Sequence, residues 1–230
     1  MTSADTAVLD DPVGRSLRGH HAGLARQLGR AATYLPDVAT FAAVSPAADS
    51  ADWADLARLL GPGGFADMFS CPSAPPPDWE PAFVLEGRQM IWPRDRPGQA
   101  NTDGVVELGA ADVPEMLDLV ARTQPGPFWA RTHELGTYLG IRTDGRLMAM
   151  AGERFRPPGW TEISAVCTAP EARGRGHAVR LVSALVARVV ARNERPFLHV
   201  AETNTAAIAL YERLGFESRT HVTFRGFRTP

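Results

Sequence analysis

The stretch EISAVCTAPEARGRGHAVRLVSALVARVVAR, Glu162 to Arg192, constrains this chain more than any other part of it. A strand reading from Trp160 to Thr168 runs through Arg-Gly-Arg-Gly into a helix predicted from about Gly176 to Arg192. Val179, Val182, Val186 and Val189, with Leu185 and Val190 beside them, have the i, i+3, i+4, i+7 spacing of a core-facing stripe. Small residues at the helix start predict that several backbone N–H groups, from about Gly174 to Ala178, point outward unobstructed. Those unpaired donors and the positive end of the helix dipole make an anion cradle.

Several owners of such a cradle are tested by the letters. A dinucleotide fold wants G-x-G-x-x-G/A, and counting from Gly174 the third position falls on Val179. A P-loop needs Lys, and the sequence has none: all 24 basic residues are Arg. A Schiff-base lysine is excluded on the same ground. The 24 basic and 26 acidic residues leave a net charge of -2, so no bulk attraction to nucleic acid or an anionic membrane is expected. The first residues, MTSADTAVLDD, lack the basic and apolar regions of a signal peptide, and the chain is read as cytoplasmic. Cys71 and Cys167 are too few for a disulfide framework or a cysteine-only zinc site, although one bridge stays open. The six histidines show no H-x-x-x-H spacing, so no metal is expected.

The 230 residues allow one large domain or two small ones. RPGQANTDG, Arg96 to Gly104, reads as a linker, dividing the chain into an N-terminal mixed α/β domain over 1–100 and a second domain over 101–230. The first contains strands near Phe41 to Val44 and Phe83 to Leu85, a Pro-rich connection around 71–79, and a helix, DWADLARLL, capped by Asp52 and ended by Gly61. The second opens with a strand near Val105 to Leu108 and a helix whose Asp112 and Glu115 stand at capping-box spacing. A short helix through Trp129 to Leu135 and strands at 138–142, 147–155 and 160–168 follow. After the long helix come a strand at Phe197 to Ala201 and a helix ending at Gly215, giving the order β-α-α-β-β-β-α-β-α-β.

The pattern Arg173-x-x-Gly176-x-Ala178, together with TNTAAIALYERLGFE downstream, resembles the GCN5-related N-acetyltransferase (GNAT) family over roughly Gly104 to Phe227. PEARGRGHA and the two-part layout look most like its FR47-like and glycine N-acyltransferase-like members. The resemblance implies an α+β GNAT fold with a mixed central sheet, splayed open between the VCT strand and the Phe197 strand, and acetyl-CoA lying in the opening. It implies that Arg173, Gly174, Arg175, Gly176, His177 and Ala178 hold pyrophosphate, and that the backbone of Val166, Cys167 and Thr168 meets pantetheine as an added strand would. Asn204 and Ala207 would contact the cofactor arm, with pure helix capping by Asn204 an equal alternative. The N-terminal half, in such members often a degenerate relative of the same fold, has a compatible strand-helix-strand order and none of the motifs.

By the same resemblance Tyr211 turns its hydroxyl to the CoA sulfur as general acid, against the commoner fate of a helical Tyr as a core residue. Glu162 occupies the place of the family's strand glutamate base, with a solvated strand charge as the alternative. The chemical need is plain: an alkylammonium of pKa about 10.4 is neutral about once in 10³ molecules at pH 7, a cost of about 4 kcal/mol. Cys167 reads as a buried strand residue, and Phe128, Trp129 and Trp160 as core aromatics or an acceptor pocket. The expected activity is transfer of acetyl from acetyl-CoA to a primary amine by direct attack in a ternary complex, an oxyanion being held by a backbone N–H such as that of Val166. The rival is a non-catalytic acyl-CoA-binding sensor or interaction module.

Overall fold

The computed structural model describes residues 6–69, 71, 73–94, 96–98 and 102–230. Residue 72 of the Pro-rich connection and residues 99–101 of the expected linker lie outside them. The described chain builds one eight-stranded sheet and one small three-stranded sheet.

The sequence elements from residue 105 onward form in the expected order. They are β6 (Val105–Leu108), α3 (Val113–Thr123), a 3-10 turn (Thr132–Leu135), β7 (Tyr138–Thr143), β8 (Arg146–Glu153), β9 (Trp160–Thr168), α4 (His177–Ala191), β10 (Arg195–Ala201), α5 (Thr205–Leu214) and β11 (Glu217–Arg228). Period-two alternation divides β7 and β8 between two cores. Leu139, Ile141, Ala149 and Ala151 pack under α4 with Leu181, Leu185 and Val186, while Tyr138, Met148 and Met150 face α3 through Met116 and Leu119.

The segment before residue 100 contributes α1 (Pro12–Leu17), the small sheet β1 (Ala25–Leu28), β2 (Ala31–Tyr34) and β3 (Ala42–Ala43), and α2 (Ser50–Leu60). It also supplies two strands of the large sheet, β4 (Phe65–Phe69) and β5 (Glu80–Ile91), in the order β4-β11-β5-β10-β9-β8-β7-β6. The expected boundary at 100–101 therefore falls between strands of one continuous sheet. Within that sheet β9 and β10 run parallel and the other neighbours antiparallel, so the sheet is mixed.

Several local expectations are corrected. Asp49, not Asp52, caps α2, and Asp52 completes a capping box by accepting from the Asp49 backbone N–H at 3.1 Å. Asp112 and Glu115 form no capping box; the Asp112 carboxylate accepts from Gly109, and Glu115 pairs with Arg142. Val179 leaves the core stripe of α4, at 41% exposure, and Leu181 is buried in its place. Val179 sits in the first turn of the helix.

Candidate functional site

β9 and β10 are neighbours only over Arg195↔Trp160, Pro196↔Thr161 and Phe197↔Glu162. Beyond that point β10 continues along β5 as far as Ala201↔Gly87, while β9 stays with β8. A bulge redirects β9: Gly152 faces Ser164 and Met150 faces Cys167, so Ala165 and Val166 together oppose Ala151. Ala165 takes φ 52°, a left-handed conformation that costs an L-residue about 1–2 kcal/mol and bends the strand. The separated strands leave a cavity of about 850 Å³, walled by Ile163 to Thr168 on one side and by His199, Val200 and Ala201 on the other. Val166, Cys167 and Thr168 all line it.

One end of the cavity meets the start of α4. Gly174 and Gly176 both sit at φ 76°, where a side chain would be strained, and the first helical bond recorded runs from the Arg180 N–H to the Gly176 carbonyl at 3.0 Å. The N–H groups of His177, Ala178 and Val179 are therefore left free of the helical ladder. Arg173 and Ala178 line the cavity, Gly174, Arg175 and Gly176 are exposed on the turn, and both ring nitrogens of His177 are buried without a partner among the described residues. Three arginines, Arg173, Arg175 and Arg180, add positive charge around the turn.

The opposite wall is α5. Asn204 caps it by accepting from the Ala207 N–H at 3.2 Å, and both residues line the cavity, so the capping and lining readings of Asn204 hold together. Tyr211 lines the cavity from the second turn of α5 at 7% exposure, its ring edge-on to Phe216. Burial pushes its phenol up to about 12, so it is protonated at neutral pH.

The comparisons agree with this geometry. The FR47-like protein family matches residues 138–225. A solved GNAT-family protein from Novosphingobium aromaticivorans is 41% identical, with 97% of this chain and 99% of that one covered and a TM-score of 0.88. The chain belongs to the GNAT superfamily. A GCN5-related N-acetyltransferase from Kribbella flavida shares the fold at 16% identity and a TM-score of 0.64, with 96% of each chain covered. A Mycobacterium leprae protein is 31% identical over 155 residues, which is 61% of this chain and 43% of that protein.

Glu162 of this GNAT chain does not line the cavity. It is fully buried and bound by Arg154 through two 2.7 Å hydrogen bonds and by His199 Nδ1 at 2.6 Å. Burial raises its pKa, but the Arg154 charge and hydrogen bonds outweigh that and hold it down to about 2. The tautomer of His199 follows from its neighbours. Arg219 donates to Gln89 Oε1 at 2.8 Å, which leaves the Gln89 amide nitrogen to donate to the Leu9 carbonyl and to His199 Nε2, each at 3.0 Å. His199 Nδ1 therefore carries the proton and donates it to Glu162. Arg154 itself is enclosed by the rings of Phe41, Phe69 and Phe155 at 4.6–4.9 Å.

Phe128, Trp129 and Trp160 are not cavity residues; they pack in or against two hydrophobic cores. The far end of the cavity is built instead from Asp67, Phe69, Phe83 and Phe224 of β4, β5 and β11. The sequence signal for this end is weak: FADMF places Asp67 and Phe69 at i, i+2, on one face of a short strand, and nothing in the letters says that the face meets β9. Cys71 and Cys167 are free thiols, and no cluster of metal-ligating side chains occurs among the described residues. No described helix is long and apolar enough to cross a membrane.

Proposed function

We propose that this chain is an acetyl-CoA-dependent N-acetyltransferase that moves an acetyl group to a primary amine by direct attack in a ternary complex. The observation that carries the reading is the continuity of one cavity from the glycine turn at α4, along the unpaired edge of β9, to the hydroxyl-bearing Tyr211. The turn fits a diphosphate: its glycines leave the backbone open, free N–H groups converge there, and arginines surround it. The edge of β9 from Val166 to Thr168 fits an amide-bearing arm, which would add to it as a strand does.

Acetyl-CoA supplies an activated acyl thioester. Arg173 and the N–H groups from Gly174 to Ala178 hold its phosphates, and Asn204 and Ala207 bound the arm from α5. The Val166 N–H is the donor assigned to the carbonyl oxygen as negative charge develops on it. Tyr211 donates a hydrogen bond to the sulfur as it leaves; with a phenol near 12 it does so without losing its proton beforehand. Glu162 holds Arg154 and His199 in place. Its oxygens are committed to those two side chains and both His199 nitrogens are engaged, by Glu162 and by Gln89, so the proton the amine loses on attack goes to water in the open cavity and not to Glu162. Holding two reactants in register supplies about 7–11 kcal/mol of the barrier reduction, the largest contribution in this scheme.

Calorimetric titration with acetyl-CoA, followed by CoA release with a panel of amines, tests the reading. Micromolar binding and amine-dependent release are expected. Failure to bind acetyl-CoA would overturn it, and tight binding with no release over a broad amine panel would favour the sensor.

A further inference from the structure

The cavity's far end carries a carboxyl group with no protein partner. Asp67 is 3% exposed and lines the cavity, and its Oδ1 is buried without a hydrogen bond among the described residues. It is also the one acidic side chain among the described residues that line this space. An uncompensated buried carboxyl is costly, and a native fold keeps one where a ligand completes it. Burial raises its pKa to about 7, and the Arg154 charge pulls the other way without outweighing it. Arg154 acts on it only through space: the Nε and Nη2 of that guanidinium are bonded to Glu162, and no hydrogen bond or ion pair joins Arg154 to Asp67 among the described residues.

The walls beside Asp67 are flat and apolar. Phe69 stacks on Phe224 with centroids 4.1 Å apart and planes within 7°, and His199 stands edge-on to Phe69 at 4.8 Å. Gly87 of β5 makes room for the Phe224 ring, whose edge lies 2.4 Å from where a Cβ would stand. Phe83 and Leu85, 38% and 40% exposed, line the same cavity where it opens to solvent. A carboxylate set among aromatic faces suits an ammonium ion twice over, through charge and through the ring quadrupoles. A substrate carboxylate would be repelled by Asp67, and the one cation at this end, Arg154, already has its charge paired with Glu162.

We infer that Asp67, with Phe69 and Phe224, is the acceptor site, and that it takes a primary ammonium on an aromatic or apolar stem that bears no carboxylate. The inference rests on the acetyltransferase reading of the same cavity, and it separates amines from amino acids, which the motifs do not.

The test uses the full chain at pH 8 with 2-phenylethylamine and L-phenylalanine, the latter differing by one carboxylate. Calorimetry reads amine binding with coenzyme A absent or present, and steady-state kinetics read turnover at saturating acetyl-CoA. The wild type should bind 2-phenylethylamine and bind L-phenylalanine at least about tenfold more weakly. Asp67→Asn should raise the Kd and KM for 2-phenylethylamine by about 30-fold or more, with the acetyl-CoA Kd unchanged. Asp67→Glu, which keeps the charge, should recover part of the loss. Equal amine affinity in wild type and Asp67→Asn, no amine binding by the wild type, or equal preference for L-phenylalanine would overturn the inference while leaving acetyl-CoA binding intact. Amine binding that depends on Asp67 in a chain that ignores acetyl-CoA would keep the site and defeat the transferase reading.

Discussion

Replacing Asp67 by Asn should stabilise the protein above pH 7 and leave it nearly unchanged near pH 4. Burial lifts the Asp67 carboxyl from its ordinary 3.8 to about 7 in the fold, while the unfolded chain keeps the ordinary value. Between those two pH values the folded state binds the extra proton, so stability falls as pH rises across the window. Each pH unit of that gap corresponds to 1.36 kcal/mol, which sets an upper bound of about 4 kcal/mol lost by pH 7. Near pH 4 the folded carboxyl is neutral and the unfolded one about half ionised, so little of the difference has developed, and an amide of the same shape is desolvated about as much. Asn should therefore gain about 2–4 kcal/mol at pH 8, once partial hydration from the cavity is allowed for, and about 0 at pH 4. Urea denaturation at the two pH values measures this directly, and thermal midpoints should move about 2–4 °C per kcal/mol for a chain of this size. A variant less stable than wild type at pH 8, or a difference that does not depend on pH, would refute the claim that this carboxyl is buried uncompensated. The same substitution is expected to weaken amine binding, so stability and function would move in opposite directions.

Tyr211→Phe should lower kcat by about 10²- to 10⁴-fold with the acetyl-CoA Kd unchanged, and an unaltered kcat would make Tyr211 a packing residue only. Ala178→Glu places a carboxylate among the free N–H groups of α4 and should raise the KM for acetyl-CoA at least about tenfold with kcat retained, read by initial rates. Glu162→Gln leaves Arg154 buried without its counter-charge and should cost about 3–5 kcal/mol in denaturant unfolding. Because the fold depresses the Glu162 carboxyl from 4.5 to about 2, the stability it contributes is complete above pH 4.5 and lost as pH falls through 2, so the Gln variant should lack that part of the acid-unfolding limb. Ala165→Val puts a β-branched side chain at φ 52° and should destabilise by more than Ala165→Gly, which relieves the strain; calorimetric unfolding of the pair checks the order.

How much of this protein its letters reveal follows from the range of the forces involved. The turn at Arg173 to Ala178, the αL glycine at 215 and the cap at Asn204 are local devices, set by residues within a few positions of each other, and each is found where the sequence places it. The strand and helix order after residue 105 is legible for the same reason, since amphipathic periodicity is written along one element at a time. The stripe of α4 shows the limit of that reading: periodicity includes Val179, but the packing around the first turn leaves it 41% exposed.

The sequence by itself determined the glycine turn before α4, the strand that feeds it, the Tyr on the following helix and the absence of any lysine chemistry. Only the tertiary structure decided what surrounds Glu162 and Asp67. Glu162 reads as an available carboxylate until Arg154 and His199 are seen to occupy it. Asp67 carries no signal in the sequence and becomes a cavity residue only because β4 pairs with β11 in the large sheet. The physical reason is that a carboxylate's role depends on which charges and rings approach it and on how much water remains, and although Arg154 stands only eight positions from Glu162, His199 and Phe224 are brought in from much farther along the chain.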